Sequence, residues 1–198
     1  MDKTLPFYGL IMTRDSLLDY PIYNLPEGYS YSFYRPGDEK VWADIEVSVG
    51  EFDNRQDALN YFAREFAPYP EELKRRCVFV RDESGEYVAT TSGWYGNLLS
   101  KEDMARIHWV AVAPNHQRKG LAKALMTKAF EIFNAAHDRG GAYLTTQTWS
   151  YKAINMYLEY GFRPYLGTKP ESWKGTDKDF KIESKKGWDV VFSKLDGS

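Results

Sequence analysis

Gln117-Arg118-Lys119-Gly120-Leu121-Ala122 is the stretch whose residue types and spacing point most directly to chemistry. It follows an apolar run that closes at Pro114, and it opens a segment with helical periodicity. The first four N–H groups of a helix have no partner within it, and the helix dipole makes that end attractive to an anion. Gly120 and Ala122 carry little or no side chain, so a bulky phosphate can reach the backbone. Arg118 and Lys119 bring positive charge to the same place. The arrangement suits a pyrophosphate. It is not a Walker A loop, because no G-x-x-x-x-G-K-[ST] occurs, and it is not a dinucleotide fingerprint, because no G-x-G-x-x-G occurs. Gly120 alone would fit any strand–turn–helix, so its neighbours carry the reading.

The elements that must position this turn follow from periodicity. Arg106–Val112 is expected as a strand, with Arg106, His108, Val110 and Val112 sharing one face. Arg118–His137 is expected as the longest helix, burying Leu121, Leu125, Ala129, Ile132, Phe133 and Ala136, and stopped by Gly140-Gly141. Ala142–Thr148 is the next strand, and the strand–helix–strand unit implies a right-handed parallel crossover. Ser150 can cap a short helix over Tyr151–Tyr160, closed by Gly161. Upstream, Tyr29–Arg35 alternates as a half-buried strand does. Asp38 can cap a helix to about Val49 with Val41, Trp42, Ile45 and Val49 on one face. A second helix from Asn54 has the stripe Leu59, Phe62, Ala63 and Phe66, with Pro68 and Pro70 as its end. Arg76–Arg81 and Tyr87–Trp94 read as strands joined by a polar turn, and Phe162–Leu166 and Trp188–Ser193 as the last two strands around a charged loop, Gly167–Gly187. Residues 1–28 hold Pro6, Pro21, Pro26 and Gly28 and read as an irregular N-terminal arm, with 29–198 as one domain. This order is a mixed α/β sheet rather than a doubly wound one.

Gln117-x-x-Gly120-x-Ala122, preceded by Val110-Ala111-Val112-Ala113-Pro114, resembles the Gln/Arg-x-x-Gly-x-Gly/Ala signature of the GCN5-related N-acetyltransferases, the GNAT superfamily. Ala153-Ile154-Asn155-Met156-Tyr157-Leu158-Glu159-Tyr160-Gly161-Phe162 is similar to its second signature. The resemblance implies a mixed sheet of six to seven strands flanked by about four helices, with a splay between the fourth and fifth strands. It implies acetyl-CoA as cosubstrate and no metal. The pyrophosphate would lie on Gln117, Arg118, Lys119, Gly120, Leu121 and Ala122, and the pantetheine arm would pair like an added strand with Val110 and Val112. A primary amine would then attack the thioester directly, with a strand N–H near Val110 or Val112 facing the developing oxyanion. Tyr157 would protonate the departing thiolate, although a core aromatic could occupy the same place. His108 is the best base candidate, since an imidazole titrates in the useful range and some members acting on arylalkylamines have a His at the matching place. Its plain alternative is a hydrogen-bonded histidine beneath the helices. Glu46 is a further base candidate, and His116 belongs to the turn. One departure is Ser150, where many members carry Asn; Ser keeps the helix-cap role but is shorter. Asn155 could face the cofactor.

The amine would meet aromatics and carboxylates of the first strand, the first two helices and the late loop: Tyr29, Tyr31, Phe33, Tyr34, Trp42, Asp44, Glu46, Glu51, Phe52, Trp173 and Trp188. The partner is a small-molecule or peptide amine, and the residues do not say which. Net charge is −2, which argues against a general nucleic-acid binder. Residues 1–99 hold 10 basic and 17 acidic side chains and residues 100–198 hold 16 and 11, so a cationic and an anionic ligand would find different halves. No apolar run is long enough to span a membrane, and no signal peptide is expected in the first residues. The single cysteine, Cys77, reads as strand core and fits a cytoplasmic protein. A homodimer is left open. The alternative to an enzyme is a catalytically inactive CoA-binding regulatory module.

Overall fold

A computed structural model describes residues 1–98, 104–136, 138 and 140–197. Among these, seven strands and six α-helices follow in the order β1 (Gly9–Arg14), β2 (Ser30–Phe33), α1 (Glu39–Ser48), α2 (Arg55–Glu65), α3 (Pro70–Arg76), β3 (Cys77–Arg81), β4 (Tyr87–Gly96), β5 (Met104–Val112), α4 (Leu121–Ala135), β6 (Ala142–Gln147), α5 (Tyr151–Glu159), β7 (Arg163–Pro164) and α6 (Asp177–Asp196). Short 3-10 turns at Pro114–His116 and Thr148–Ser150 lead into α4 and α5. The hydrogen-bonded strand order is β2-β3-β4-β5-β6-β1-β7. The sheet is mixed and open: β5 and β6 are parallel, whereas β2–β3, β3–β4, β6–β1 and β1–β7 are antiparallel. No helix among the described residues is long and apolar enough to cross a membrane.

The chain forms two compact units, and β4 and β5 contribute residues to both. One unit comprises residues 22–94 and 107–137. Its core joins Val78 and Val80 of β3, Val88 and Ala89 of β4, and Leu121, Leu125 and Ile132 of α4. Leu121, Leu125, Ala129, Ile132 and Phe133 are buried along α4, as the 3.6 period requires. The end of the expected helix at His137 lies outside the described residues. On α2 the buried stripe is Ala58 and Phe62, continued by Phe66, while Ala63 is exposed and Leu59 half-buried. Asn54 caps that helix by accepting from the Asp57 N–H at 2.9 Å. Asp38 occupies the cap position of α1 without capping it; its carboxylate accepts from the Arg35 N–H at 2.8 Å instead. Pro70, expected to end a helix, starts one. At the first helical position its missing N–H costs nothing, and Glu71–Glu72 at one end with Lys74–Arg76 at the other suit the dipole.

The other unit comprises residues 1–21, 95–106 and 138–198. The proline-marked N-terminal stretch is not irregular throughout: Gly9–Arg14 is strand β1, paired with β6 over six positions from Gly9↔Gln147 to Arg14↔Ala142. The expected last strand, Trp188–Ser193, is instead the end of helix α6, and α6 also takes up the second half of the expected loop 167–187. Phe180, Ser184, Gly187, Trp188 and Val191 are its buried residues, a helical spacing. A Cβ on Gly187 would meet Leu10 Cδ2 and Tyr8 Cβ at 2.8 Å, so the glycine lets α6 lie close on the chain at β1. Thr176 and Asp179 form a reciprocal capping box at its start. Ser150 does not cap α5; its hydroxyl accepts from Gln147 Nε2 at 3.2 Å.

Candidate active site

β5 runs into the turn that the motif predicts. Ala113 N–H donates to the Val88 carbonyl at 2.8 Å, and the 3-10 turn of Pro114–His116 reverses the chain. Gln117 Nε2 donates back to the Val112 carbonyl at 2.9 Å, tying the turn to the strand end. Arg118 (φ 61°) and Gly120 (φ 87°) both take left-handed conformations, and Gly120 is the N-cap of α4 with no side-chain cap. No atom lies within 4 Å of the place a Gly120 Cβ would take. Gln117, Arg118, Lys119 and Gly120 are exposed, while the Leu121 side chain is buried in the core, so only its N–H can serve a ligand. Val110 is half-buried, and Val112 packs in the same core as Leu121. Beside the turn, Lys119 Nζ donates to the Tyr29 hydroxyl at 3.3 Å, and that hydroxyl lies 3.0 Å from His116 Nδ1. Tyr31 is spent on packing: its hydroxyl donates to the Ala124 carbonyl at 2.9 Å.

The period-two face expected along β5 breaks at Trp109, whose φ of 53° is left-handed within the strand. As a result the consecutive residues His108 and Trp109 both meet Tyr61 of α2, at ring-centroid distances of 6.5 and 5.0 Å. A regular strand would send them to opposite faces. Trp109 also contacts Trp42 at 5.5 Å edge-to-face, Phe52 at 5.2 Å and His108 at 5.5 Å, so with Tyr61 four rings meet around it. His108 is buried and packs on Phe66 at 5.6 Å. Its Nε2 lies 3.4 Å from Glu65 Oε1 and 3.4 Å from the Tyr61 hydroxyl.

Glu46, one turn after Trp42 on α1, is 1% exposed, and its Oε1 has no hydrogen-bond partner. Burial, reinforced by the charge of Glu51, holds its carboxyl well above the ordinary carboxylate range. Trp42 and Trp109 also bury unpartnered indole N–H groups. Asp44 is exposed and paired with Arg55 at 2.8 Å, and Tyr34 donates to Glu39 at 3.0 Å. Cys77 is buried, and burial pushes its thiol up to about 12, which leaves it unreactive.

In the other unit Tyr157 is 7% exposed on α5 and meets Phe162 edge-to-face at 6.4 Å. Trp188 is buried and Trp173 half-buried against Phe180. The parallel register of β5 with β6 comprises Ala105↔Ala142 and Arg106↔Tyr143. Among the described residues no group of three or more His, Cys, Asp or Glu side chains gathers to hold a metal ion.

The sequence model of the acetyltransferase (GNAT) family matches residues 32–162, which includes both signatures. The chain belongs to that family. Solved structures of similar fold include a GCN5-related N-acetyltransferase from Sphaerobacter thermophilus, 20% identical with a TM-score of 0.60 over 80% of this chain and 49% of that one. A tandem GNAT protein from the clavulanic acid biosynthesis pathway, solved without acetyl-CoA, is 17% identical with a TM-score of 0.57, over 80% and 50% of the two chains. A GNAT-family acetyltransferase from Colwellia psychrerythraea is 13% identical with a TM-score of 0.56, over 81% and 54%. This chain thus spans about half the length of the first two structures. No curated protein matches it. In this GNAT chain the sequence alone did not single out Tyr61, Glu65 or Trp109. Tyr61 and Glu65 stand four apart on α2, a spacing that shares a helix face, but nothing in that spacing tells which strand residue the face meets.

Proposed function

We propose that this GNAT chain transfers the acetyl group of acetyl-CoA to a primary amine. The observation that carries the reading is the turn at Gln117–Ala122 inside the family match: left-handed Arg118 and Gly120, open space at Gly120, and a 15-residue helix whose first N–H groups point at the turn. Left-handed conformations in non-glycine residues cost of order 1–3 kcal/mol and gather at ligand clamps. The N–H groups after Gly120 would hold the pyrophosphate, with Arg118 and Lys119 adding charge. Val110 and Val112 would offer backbone to the pantetheine arm and an N–H to the oxyanion.

His108 would take one proton from the ammonium, and the freed amine nitrogen would form its bond to the acetyl carbon. As the C–S bond breaks, Tyr157 would give its proton to the thiolate and regain one from the nitrogen, leaving an amide and free CoA thiol. His108 would then release its proton to water. The single buried cysteine fits a reducing compartment, and we place the protein in the cytoplasm.

A panel of primary amines, followed by a thiol-reactive dye, tests this. Thiol release that needs both acetyl-CoA and an amine is the expected result. Acetyl-CoA binding without turnover on any amine would mean a CoA-binding regulatory module instead.

A further inference from the structure

We propose that Glu65, with Tyr61 beside it, is the positioning residue for His108: the Glu65 carboxylate holds the imidazole proton on Nε2 and leaves Nδ1 as the basic nitrogen. The inference rests on the reading of His108 as the base of amine acetylation. Glu65 Oε1 and the Tyr61 hydroxyl both lie 3.4 Å from the same ring nitrogen. An ionised Glu65 carboxylate can only accept, so its pairing with the ring needs the proton on Nε2, with the Tyr61 hydroxyl then accepting as well. In a neutral imidazole that leaves the lone pair on Nδ1, since the partner of one ring nitrogen sets the state of the other.

The ring is held in this orientation from several sides. Phe66 and Trp109 lie 5.6 and 5.5 Å from it. Thr91 of β4 donates its hydroxyl to the His108 carbonyl at 3.5 Å. The left-handed residue Trp109 turns His108 toward α2, and the Asn54 cap sets where that helix starts. On α2, the helix whose face meets the ring, the charged and titratable groups are Arg55, Asp57, Tyr61, Arg64 and Glu65, and Glu46 of α1 is buried. Arg64 sits over the Tyr61 ring at 5.2 Å from its centroid. The Glu65 carboxylate sits at hydrogen-bonding range of the imidazole. When Nδ1 takes the proton of the acceptor ammonium, the new imidazolium keeps Nε2–H against that carboxylate, an opposite charge that favours the charged form.

Two readouts decide the inference. In nitrogen-15 NMR of the wild-type protein, the His108 signal (assigned with His108→Gln) should report a neutral form protonated on Nε2. A neutral form protonated on Nδ1 would overturn the inference, whatever the activity. In the pH profile of kcat/KM, Glu65→Gln should move the acid limb down by about 1 pH unit and lower the plateau by tenfold or more. Glu65→Asp keeps the charge and should keep the limb near the wild-type position. A Gln variant with wild-type melting temperature and an unmoved limb would reduce Glu65 to a packing residue. If His108→Gln transfers acetyl groups at the wild-type rate, the base reading fails instead, and that failure is separate from the tautomer result.

Discussion

Single side chains at the candidate site differ in what they can exchange. Tyr157 carries a hydroxyl on a buried ring, so Tyr157→Phe keeps the packing and withdraws the acid proposed for the thiolate. We expect kcat to fall roughly 10- to 1,000-fold with acetyl-CoA affinity within tenfold, because a thiolate is a leaving group that water can partly protonate. Steady-state kinetics with the best amine check this, and a wild-type kcat would make Tyr157 a core aromatic. Glu46 is a different case, a carboxyl whose protonation is coupled to folding. Below about pH 4.5 it is neutral both folded and unfolded. Above that the unfolded chain ionises while the folded one, its value raised by burial, does not, so stability contributed by the neutral acid is lost as pH rises toward the folded value. Glu46→Gln should lack that loss and be more stable than wild type at pH 8, with the two converging at pH 4. Urea midpoints across that range measure it, and parallel curves would show that Glu46 is not the coupled group.

At the level of elements, helix starts set the geometry. Gly120 caps α4 at φ 87°, where an L side chain is strained even with open space around it. Gly120→Ala should cost about 1–2 kcal/mol of stability through the backbone alone. Gly120→Glu should also abolish acetyl-CoA binding by placing bulk and negative charge before the helix N–H groups. Calorimetric titration with acetyl-CoA separates the two effects, and an unchanged dissociation constant in the Glu variant would put the phosphates elsewhere. Helix α6 starts at a capping box in which Thr176 accepts from the Asp179 N–H at 3.2 Å. Removing it with Thr176→Ala should cost about 1 kcal/mol, read as a lower urea midpoint with unchanged slope; no change would mean the first turn of α6 contributes nothing to stability. Helix α6 also shows how an element misleads: Trp188–Ser193 alternates well enough for a strand, and only the window from Phe180 to Val191 reveals the helical spacing. Proline misled in the same way at Pro70, because a proline that cannot continue one helix can begin the next.

For the whole molecule, ligand binding should register as stability. At about 100 times its dissociation constant acetyl-CoA should add roughly 2.7 kcal/mol and raise Tm, while ATP at equal concentration should not. Absence of a shift at millimolar acetyl-CoA would remove the ligand assignment. The strand–turn–helix at Gln117–Ala122 and the mixed sheet were legible in the chain itself, because they depend on residues close in sequence: a strand, a glycine at the helix start, and an apolar stripe along α4. The pairing of β1 with β6 was not, since it joins Gly9–Arg14 to residues some 130 positions later, and no local pattern marks such a partner. Nor was the environment of His108. Its type and place in β5 suggested a base, but a left-handed residue at Trp109 redirected the strand and brought Glu65 and Tyr61 to Nε2. Local chemistry is written in residue spacing, whereas the partners of a side chain depend on which distant surfaces the packed chain brings against it.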